Sequence, residues 1–318
     1  MSDCCDVVIA GAAIIDIPVV PADASVFTRI STPAGRIILT SGGDAMNEAL
    51  VLSRLGKRVR LVTRIGCDDA GAYLRHTCDS SGIDTRHFRE IDGLDTGVNV
   101  VLVDHSGERR FFTNPHGSLR ALEMGDITQD ALEGAKIFCF ASIFVFPLIG
   151  PAELEQLFRS VRERGLITCA DMTLPKHGET LADLAPALRY LDYFFANLAE
   201  AQQITGMASP SAVADALLDT GARHVIIKLG ANGCLIADKT GQRHIPACPA
   251  ANCIDTTGAG DNFAAGFLSA LLDGRSFEGC AQYANACASV SVETVGASTG
   301  VTDAAQVLKR FHSAYPDC

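Results

Sequence analysis

Short apolar runs recur along the chain and predict a sheet of buried strands. Residues 7–10, "VVIA", form a compact apolar run that ends at Gly11, which is typical of a buried parallel strand. The segment "VRLVTRIG" at residues 59–66 predicts another strand. From residue 137 onward the rhythm is regular, with helical patterns between predicted strands at 137–142, 166–171, 192–196 and 224–229. This succession predicts a mainly parallel sheet with helices on both faces, a three-layer α/β sandwich.

Two parts of the N-terminal third depart from that rhythm. Residues 18–40 are rich in loop-forming residues, and residues 98–103 and 109–113 flank "DHSGE", which predicts a β-hairpin. We interpret these segments as a small β-rich lid of residues 12–40 and 96–114. The α/β core then comprises residues 1–11, 41–95 and 115–318.

Composition narrows the class of protein. With 318 residues, 48% of them hydrophobic and 20% charged, the chain has ample material for a globular core. Its net charge of −11 argues against binding nucleic acid by bulk electrostatics. The twelve cysteines show no zinc-site spacing, and the start of the chain does not resemble a signal peptide. The most apolar run, residues 137–150, is too short to span a bilayer. We therefore expect a cytoplasmic protein with reduced thiols and no membrane contact.

The stretch with the strongest chemical signal is "DTTGAGDNFAAGF" at residues 255–267. Phe263, Phe267 and Leu271 recur every four residues, which predicts a helix that begins near Gly258. Glycines let the backbone approach a ligand, and the first N–H groups of a helix are free to bind phosphate. A carboxylate at Asp261, beside that anion site, suggests proton abstraction from an attacking hydroxyl group. The alternative interpretation is a glycine-rich turn in which Asp261 caps the helix.

Other polar side chains follow predicted strands, where ligands bind in open α/β sheets. Asp16 comes just after the first strand. The alternative interpretation is a surface acid that caps a turn. Asn197 and Glu200 stand three residues apart on the first turn of a helix, a spacing that suits a magnesium ion held through water. The same spacing also suits a capping box with no ligand.

Three further patterns place candidate residues near a ligand. Gly42 and Gly43 precede a helix that carries Asn47, so backbone donors and an amide would meet there to hold sugar hydroxyls. Asp171 follows a strand, and "KLGANGC" predicts a strand–turn–strand with glycines that let a flat ring lie against the backbone.

In their order along the chain these motifs resemble the ribokinase-like (PfkB) family of carbohydrate kinases. "DTTGAGDNFAAGF" resembles the C-terminal signature of that family, and "SGGDAMNEALVLSRLG" with "RIGCDDAG" is similar to its N-terminal signature. "NLAE", the 228–233 turn and the late helix "YANACASVSVETVGA" occupy the expected order. The resemblance covers nearly the whole chain and implies transfer of the γ-phosphoryl group of ATP to a hydroxymethyl group of a sugar, with Mg²⁺.

The resemblance also implies roles for individual residues. Asp261 would be the general base, and the backbone around it would stabilise the transferring phosphoryl group, at Gly258, Ala259 and Gly260. The sugar would contact Asp16, Gly42, Gly43, Asn47, Arg109, Asn114 and Asp171. The nucleotide would contact Asn197, Glu200, Lys228, Gly230, Gly233 and Asn285. Glu200 would act on Mg²⁺ through water, and Asp255 and Thr257 match a loop that supports K⁺ in many members. Lids of relatives often pair, so a homodimer through the lid is expected.

The acceptor stays open at this stage. "FASIF" around Ser142 lacks an acidic residue that some members carry, and "DMTLPK" departs from the usual Asp-x-Asn-x-Arg pattern. Basic residues on and near the lid suggest an acidic acceptor, such as a sugar phosphate or a sugar carboxylate, if they face the pocket: Arg109, Arg110, His116 and Lys176. A solvated basic lid edge is the alternative. A nucleoside kinase and a non-catalytic sugar or nucleotide sensor are the competing functions.

Overall fold

The protein was analysed as a computed structural model that describes residues 5–105 and 108–316. The strands in this part of the chain are β1 (Val7–Ala10), β2 (Ile14–Val20), β3 (Arg36–Ile37), β4 (Thr40–Gly42), β5 (Val59–Gly66), β6 (Phe88–Ile91), β7 (Val98–Val103), β8 (Arg109–Thr113), β9 (Ile137–Ile143), β10 (Ile167–Met172), β11 (Tyr193–Asn197), β12 (His224–Lys228), β13 (Cys234–Asp238) and β14 (Gly241–Ile245). The α-helices are α1 (Asp44–Arg54), α2 (Asp69–Ser80), α3 (Gln129–Leu132), α4 (Pro151–Glu163), α5 (Leu181–Leu188), α6 (Leu198–Thr205), α7 (Pro210–Leu218), α8 (Ala259–Leu272), α9 (Phe277–Ser291) and α10 (Ala304–Ala314).

The central sheet has nine strands in the order β14-β13-β12-β11-β10-β9-β1-β5-β6. From β6 to β12 every neighbouring pair is parallel, and β13 and β14 add an antiparallel edge. The predicted three-layer α/β sandwich is therefore confirmed. The predicted strand–turn–strand is confirmed as β12 and β13, which pair antiparallel around the 230–232 turn.

The two faces of this sheet are covered by different helices, because strand side chains alternate between faces. On β1, Val7 and Ile9 belong to a core shared with α1, α2, α8, α9 and α10. Val8 and Ala10 belong to the opposite core, which contains residues of α3 to α7. A strand that is buried on both faces reads as a continuous apolar run, which explains why "VVIA" shows no polar alternation.

A second sheet of five strands lies over one end of the first. Its order is β3-β2-β7-β8, with β4 also pairing with β2, and β7 and β8 form the predicted hairpin. We call this second sheet the lid. Asp16 lies inside lid strand β2, and not in a loop after β1, because β2 begins only four residues beyond β1.

Two chemical features of the described residues bear on the expectations above. Ten cysteines are free thiols, of which Cys67 and Cys253 are exposed. Across residues 5–105 and 108–316, none of the helices combines the length and apolarity required to traverse a bilayer.

Candidate active site

The N-terminus of α8 carries the predicted anion site. Gly258 caps the helix in the left-handed region, with φ at 70°, and a side chain there would overlap the Ala297 carbonyl oxygen. The Asn262 amide donates to the carbonyl oxygens of Gly258 and Ala297, at 2.7 Å each, and fixes the turn against the following segment. The Ala259 N–H donates to the Thr256 carbonyl oxygen at 3.2 Å, and the next N–H groups of this 14-residue helix, at Gly260 and Asp261, are held in place for an anion.

Two cavities meet at this helix end. The larger cavity, of about 570 Å³, lies against the 228–233 turn, the 247–253 segment and α9. The smaller cavity, of about 310 Å³, lies between the core and the lid. Thr256, Ala259 and Gly260 line both of them, whereas Asp261 lines only the smaller one. A group bound at the end of α8 is therefore accessible from both sides.

The larger cavity collects residues predicted for the nucleotide. Lys228, Gly230, Gly233 and Asn285 all line it, among small and apolar side chains. Gly233 has φ at 85° and lies directly against the backbone of residues 245–247, which leaves no room for a side chain. The Asn285 amide donates to the Pro246 carbonyl at 3.1 Å, so this side chain also holds the cavity wall together.

The smaller cavity collects polar residues predicted for the sugar. Asp16, Gly43 and Asn47 line it together with Asp261. The Asn47 amide donates to Asp261 Oδ2 at 2.8 Å, which orients the carboxylate of the predicted base. Gly42 lies directly against the Asp16 carboxylate, which any side chain at that position would displace.

Asn99 and Asp44 are among the polar residues of the smaller cavity that the sequence did not predict. Asn99 donates from Nδ2 to Asp16 Oδ1 at 3.0 Å and accepts a hydrogen bond from Thr113 Oγ1 at 2.7 Å. The Asp44 carboxylate accepts a hydrogen bond from the Ser142 hydroxyl. A lone asparagine within "VNVVLV" was the available signal for Asn99, and Asp44 stood inside the motif already quoted.

Burial and mutual repulsion perturb these carboxylates. Burial, reinforced by the nearby Asp44 charge, raises the pKa of Asp261 well above its usual value, against the lowering effect of the Asn47 hydrogen bond. Burial also raises the pKa of Asp44 and of Asp16. Asp261 is thus a stronger base than an exposed aspartate, as proton abstraction requires.

Asp171 occupies a different position from the one predicted. It does not line the smaller cavity, and its carboxylate pairs with the Lys228 ammonium group behind the end of α8. Burial lowers the pKa of Lys228, but the Asp171 charge and hydrogen bond outweigh it, so that the pKa is raised overall. The ammonium group consequently remains charged beside Gly260.

Asn197 and Glu200 form the capping box that was the alternative interpretation. Asn197 Oδ1 accepts from the Glu200 N–H at 2.9 Å, and Glu200 Oε2 accepts from the Asn197 N–H at 3.1 Å. Burial raises the pKa of Glu200 to about 7. The charges of Lys228 and Asp171 lie close enough to act on this carboxylate. The capping hydrogen bonds therefore do not preclude a second role on Mg²⁺.

The basic side chains of the lid do not converge on the smaller cavity. The Arg109 guanidinium pairs with Asp255, and Arg110 pairs with Asp104 and Glu108 at the hairpin end. Asn114 accepts from the Val98 N–H at 2.9 Å and closes the base of the hairpin. Among the described residues, no Lys, Arg or His side chain lines the smaller cavity. The lining of the smaller cavity therefore offers an acidic acceptor no basic side chain among the described residues.

Protein donors already surround the Asp255 carboxylate, for which the resemblance implied a K⁺ role. It accepts hydrogen bonds from the Thr257 N–H at 2.9 Å, the Thr257 hydroxyl at 2.6 Å, the Gly296 N–H at 2.9 Å and the Arg109 guanidinium. A carboxylate offers about four acceptor positions. Three of these donors bind Oδ1 and only the Gly296 N–H binds Oδ2, so a cation at Oδ1 would have to displace a donor.

The family model for "pfkB family carbohydrate kinase" matches residues 6–304. The chain belongs to the pfkB family of carbohydrate kinases. It is 29% identical over 278 residues to a ribokinase from Haemophilus influenzae, covering 86% of this chain and 88% of that protein. It is also 29% identical over 283 residues to a nucleoside kinase from Methanothermobacter thermautotrophicus, covering 88% and 87%.

The fold is shared with a solved member. A structure of Arabidopsis thaliana ribokinase complexed with ribose and ATP superposes with a TM-score of 0.81 at 24% identity, covering 97% of this chain and 99% of that chain. The protein is thus an ATP-dependent carbohydrate kinase, and the pfkB kinase fold positions both of its cavities.

Proposed function

We propose that this pfkB kinase transfers the γ-phosphoryl group of ATP to a hydroxymethyl group of a neutral sugar. ATP would occupy the larger cavity and the sugar the smaller one, with the γ-phosphate at the end of α8. The supporting observation is that the two cavities share three residues at the end of α8, Thr256, Ala259 and Gly260. Asp261 lines the smaller cavity and not the larger one. This arrangement suits in-line transfer between the two ligands.

Each group near the transfer point has a distinct proposed role. Asp261 accepts the proton of the attacking hydroxyl, held in position by Asn47. The N–H groups of Gly258, Gly260 and Asp261 stabilise the charge on the transferring phosphoryl group, whereas the Ala259 N–H donates to the Thr256 carbonyl oxygen at 3.2 Å. The Lys228 ammonium group, fixed by Asp171, adds positive charge beside Gly260. Mg²⁺ would be held mainly by phosphate oxygens and water, with Glu200 as the proposed protein carboxylate that contacts it through water.

The charges of the smaller cavity support a neutral acceptor. Asp16, Asp44 and Asp261 line it, and none of the described residues in its lining is basic, although the Lys228 charge behind the lining acts on Asp44 and Asp261. Ionised carboxylates accept hydrogen bonds from sugar hydroxyls and repel a phosphate or carboxylate on the sugar. We infer that sugar phosphates and sugar acids are poor acceptors.

The test measures ADP release with MgATP across neutral pentoses and hexoses, sugar acids, sugar phosphates and nucleosides. We expect kcat/KM for the best neutral sugar to exceed that for any acidic sugar by at least ~10-fold. In Asp261→Asn, kcat should fall by roughly 10²- to 10⁴-fold, because general-base catalysis is lost. Asp273→Asn, just beyond the other end of α8, is the matched control. Preferential use of an acidic sugar would refute the neutral-acceptor proposal. An active Asp261→Asn variant would refute the assignment of Asp261 as the general base.

A nucleoside is the second candidate acceptor. Phe111 of the lid lines the smaller cavity and remains 59% exposed, so its ring face is available for stacking on a base. The similarity to a nucleoside kinase supports the same idea. Turnover of nucleosides, but not of free sugars, that falls in Phe111→Ala would favour this candidate.

We also propose that the lid pairs with the lid of a second copy. The lid strands and the 21–39 segment beside them expose large apolar side chains that a monomer leaves in water: Phe27, Ile30, Ile37, Leu39 and Phe112. Sedimentation velocity should show a dimer that Phe27→Ser with Ile37→Ser dissociates, while Leu148→Ser, at an exposed site on the core, leaves it intact. A wild-type monomer at micromolar concentration would refute the pairing.

A further inference from the structure

The Asp255 carboxylate joins three separate segments of the chain. Its Oδ1 accepts hydrogen bonds from the N–H and hydroxyl of Thr257, which leads into the α8 cap. Its Oδ2 accepts from the Gly296 N–H, and the neighbouring Ala297 packs against Gly258. The Arg109 guanidinium, from the lid, pairs with Oδ1. The carboxylate therefore connects the anion-binding turn, the 296–297 segment and the lid.

The pair is largely withdrawn from solvent, so that its charges depend on each other. The side chain of Asp255 is 14% exposed and that of Arg109 is 26% exposed. Although burial raises the pKa of Asp255, the Thr257 and Gly296 hydrogen bonds and the Arg109 charge lower it overall. An ionised carboxylate in this position needs a compensating positive charge.

We propose that Arg109 is a positioning residue that supplies this charge in place of a monovalent cation. The guanidinium neutralises Asp255, holds the anion-binding turn through Thr257, and ties the lid strand β8 to the catalytic end of α8. Turnover should then be independent of K⁺ in the wild type. Removal of the guanidinium should leave a carboxylate that K⁺ can neutralise instead.

Two variants separate this role from a general effect of lid charge. Arg109→Met keeps the aliphatic stem and removes the charge. Arg110→Met is the matched control, because the next residue on the same strand pairs only within the hairpin, with Asp104 and Glu108, as far as the described residues show. Each protein is studied in KCl and in tetramethylammonium chloride at equal ionic strength.

The first measurement is thermal unfolding without substrate, which does not rest on the proposed function. The Tm of the wild type and of Arg110→Met should be the same in both salts. The Tm of Arg109→Met should be lower in tetramethylammonium chloride and should rise with KCl, because a ligand that binds only the folded state stabilises it. A rise of similar size in the wild type would overturn the proposal. So would an Arg109→Met that neither salt affects.

The second measurement is turnover of the best acceptor, which rests on the proposed function. In tetramethylammonium chloride, kcat of Arg109→Met should fall by ~10-fold or more, because the anion-binding turn loses its support, and K⁺ should restore most of it. If Arg109→Met does not fold, Arg109→Lys replaces it, and it should retain K⁺ independence. Wild-type turnover that requires K⁺ would contradict the inference, whereas failure of every acceptor would concern only the proposed function.

Discussion

The larger and the smaller cavity are built from different kinds of residue. The larger cavity is shaped by glycine, alanine and backbone from neighbouring parts of the second half of the chain, residues 228–292. The smaller cavity depends on hydrogen bonds between side chains that are distant in sequence, such as Asp16 with Asn99 and Asn47 with Asp261. Shape therefore governs the first cavity, and individual polar atoms govern the second. The comparison predicts that the two respond to different mutations.

The largest expected effect concerns the end of α8, which both cavities share. Gly258→Ala forces a side chain into a left-handed conformation against the Ala297 carbonyl oxygen. We expect kcat to fall by about 10²-fold, because the backbone N–H donors would no longer point at the phosphoryl group. Gly274→Ala is the control, because Gly274 has a similar φ of 74° beyond the other end of the helix with open space around it. Steady-state kinetics that show equal losses for both variants would contradict the role of this turn.

A smaller effect should distinguish the two cavities. Asn99→Ala removes the donor to Asp16, and we expect the KM of the acceptor to rise ~10-fold while the KM of ATP is unchanged. Ala288→Leu puts a larger side chain into the larger cavity, which reduces the volume left for the nucleotide, and should raise the KM of ATP alone. Initial rates with each substrate varied in turn measure both constants. If either variant raised both KM values, the cavities would not be independent.

The pH dependence of kcat should reveal the crowded carboxylates of the smaller cavity. Because the pKa of Asp261 is raised and the base must be ionised, kcat should fall on the acid side at a pH above the usual aspartate range. Asp44→Asn removes a charge that raises this pKa, so the acid limb should move to lower pH by about one unit. A limb that does not move in Asp44→Asn would exclude the proposed repulsion.

The smallest effect concerns the stability of the folded protein around the smaller cavity. Glu48, next to Asn47 on α1, is fully buried, and among the described residues its carboxyl group has only the weak Cys139 thiol as a neighbouring donor. Burial raises its pKa well above the usual value, so stability is full below the unfolded pKa and declines as pH rises through the folded pKa. Glu48→Gln should therefore be more stable by ~1–2 kcal/mol at pH 8 and show a smaller difference at pH 5. Urea unfolding at both pH values measures this, and a difference that does not grow with pH would contradict it.

The sequence predicted what depends on local patterns. The buried strands, the hairpin and the α8 cap each rest on apolar runs or glycines within a few residues, and each appears in the structure. Three residues of the larger cavity, Lys228, Gly230 and Gly233, were predicted for the same reason, since they share one turn.

Contacts between distant segments were not predictable in this way. Arg109 was expected to face the acceptor, but it pairs with Asp255, which lies 146 residues further along the chain. Asn114 was expected to contact sugar, but its side chain satisfies the backbone at the base of the hairpin. No local pattern shows which partner a polar side chain finds, because the partner depends on how the lid is placed on the core.

The position of β1 in the middle of the large sheet has a consequence for synthesis of the chain. Residues 7–10 leave the ribosome early, but β9, one of the two strands that flank β1, begins only at residue 137. At ordinary translation rates β1 therefore has one edge unpaired for on the order of ten seconds before β9 is synthesised. An apolar edge of this kind is a site for association between nascent chains. We therefore expect the yield of native protein during expression to depend on chaperones that bind nascent chains.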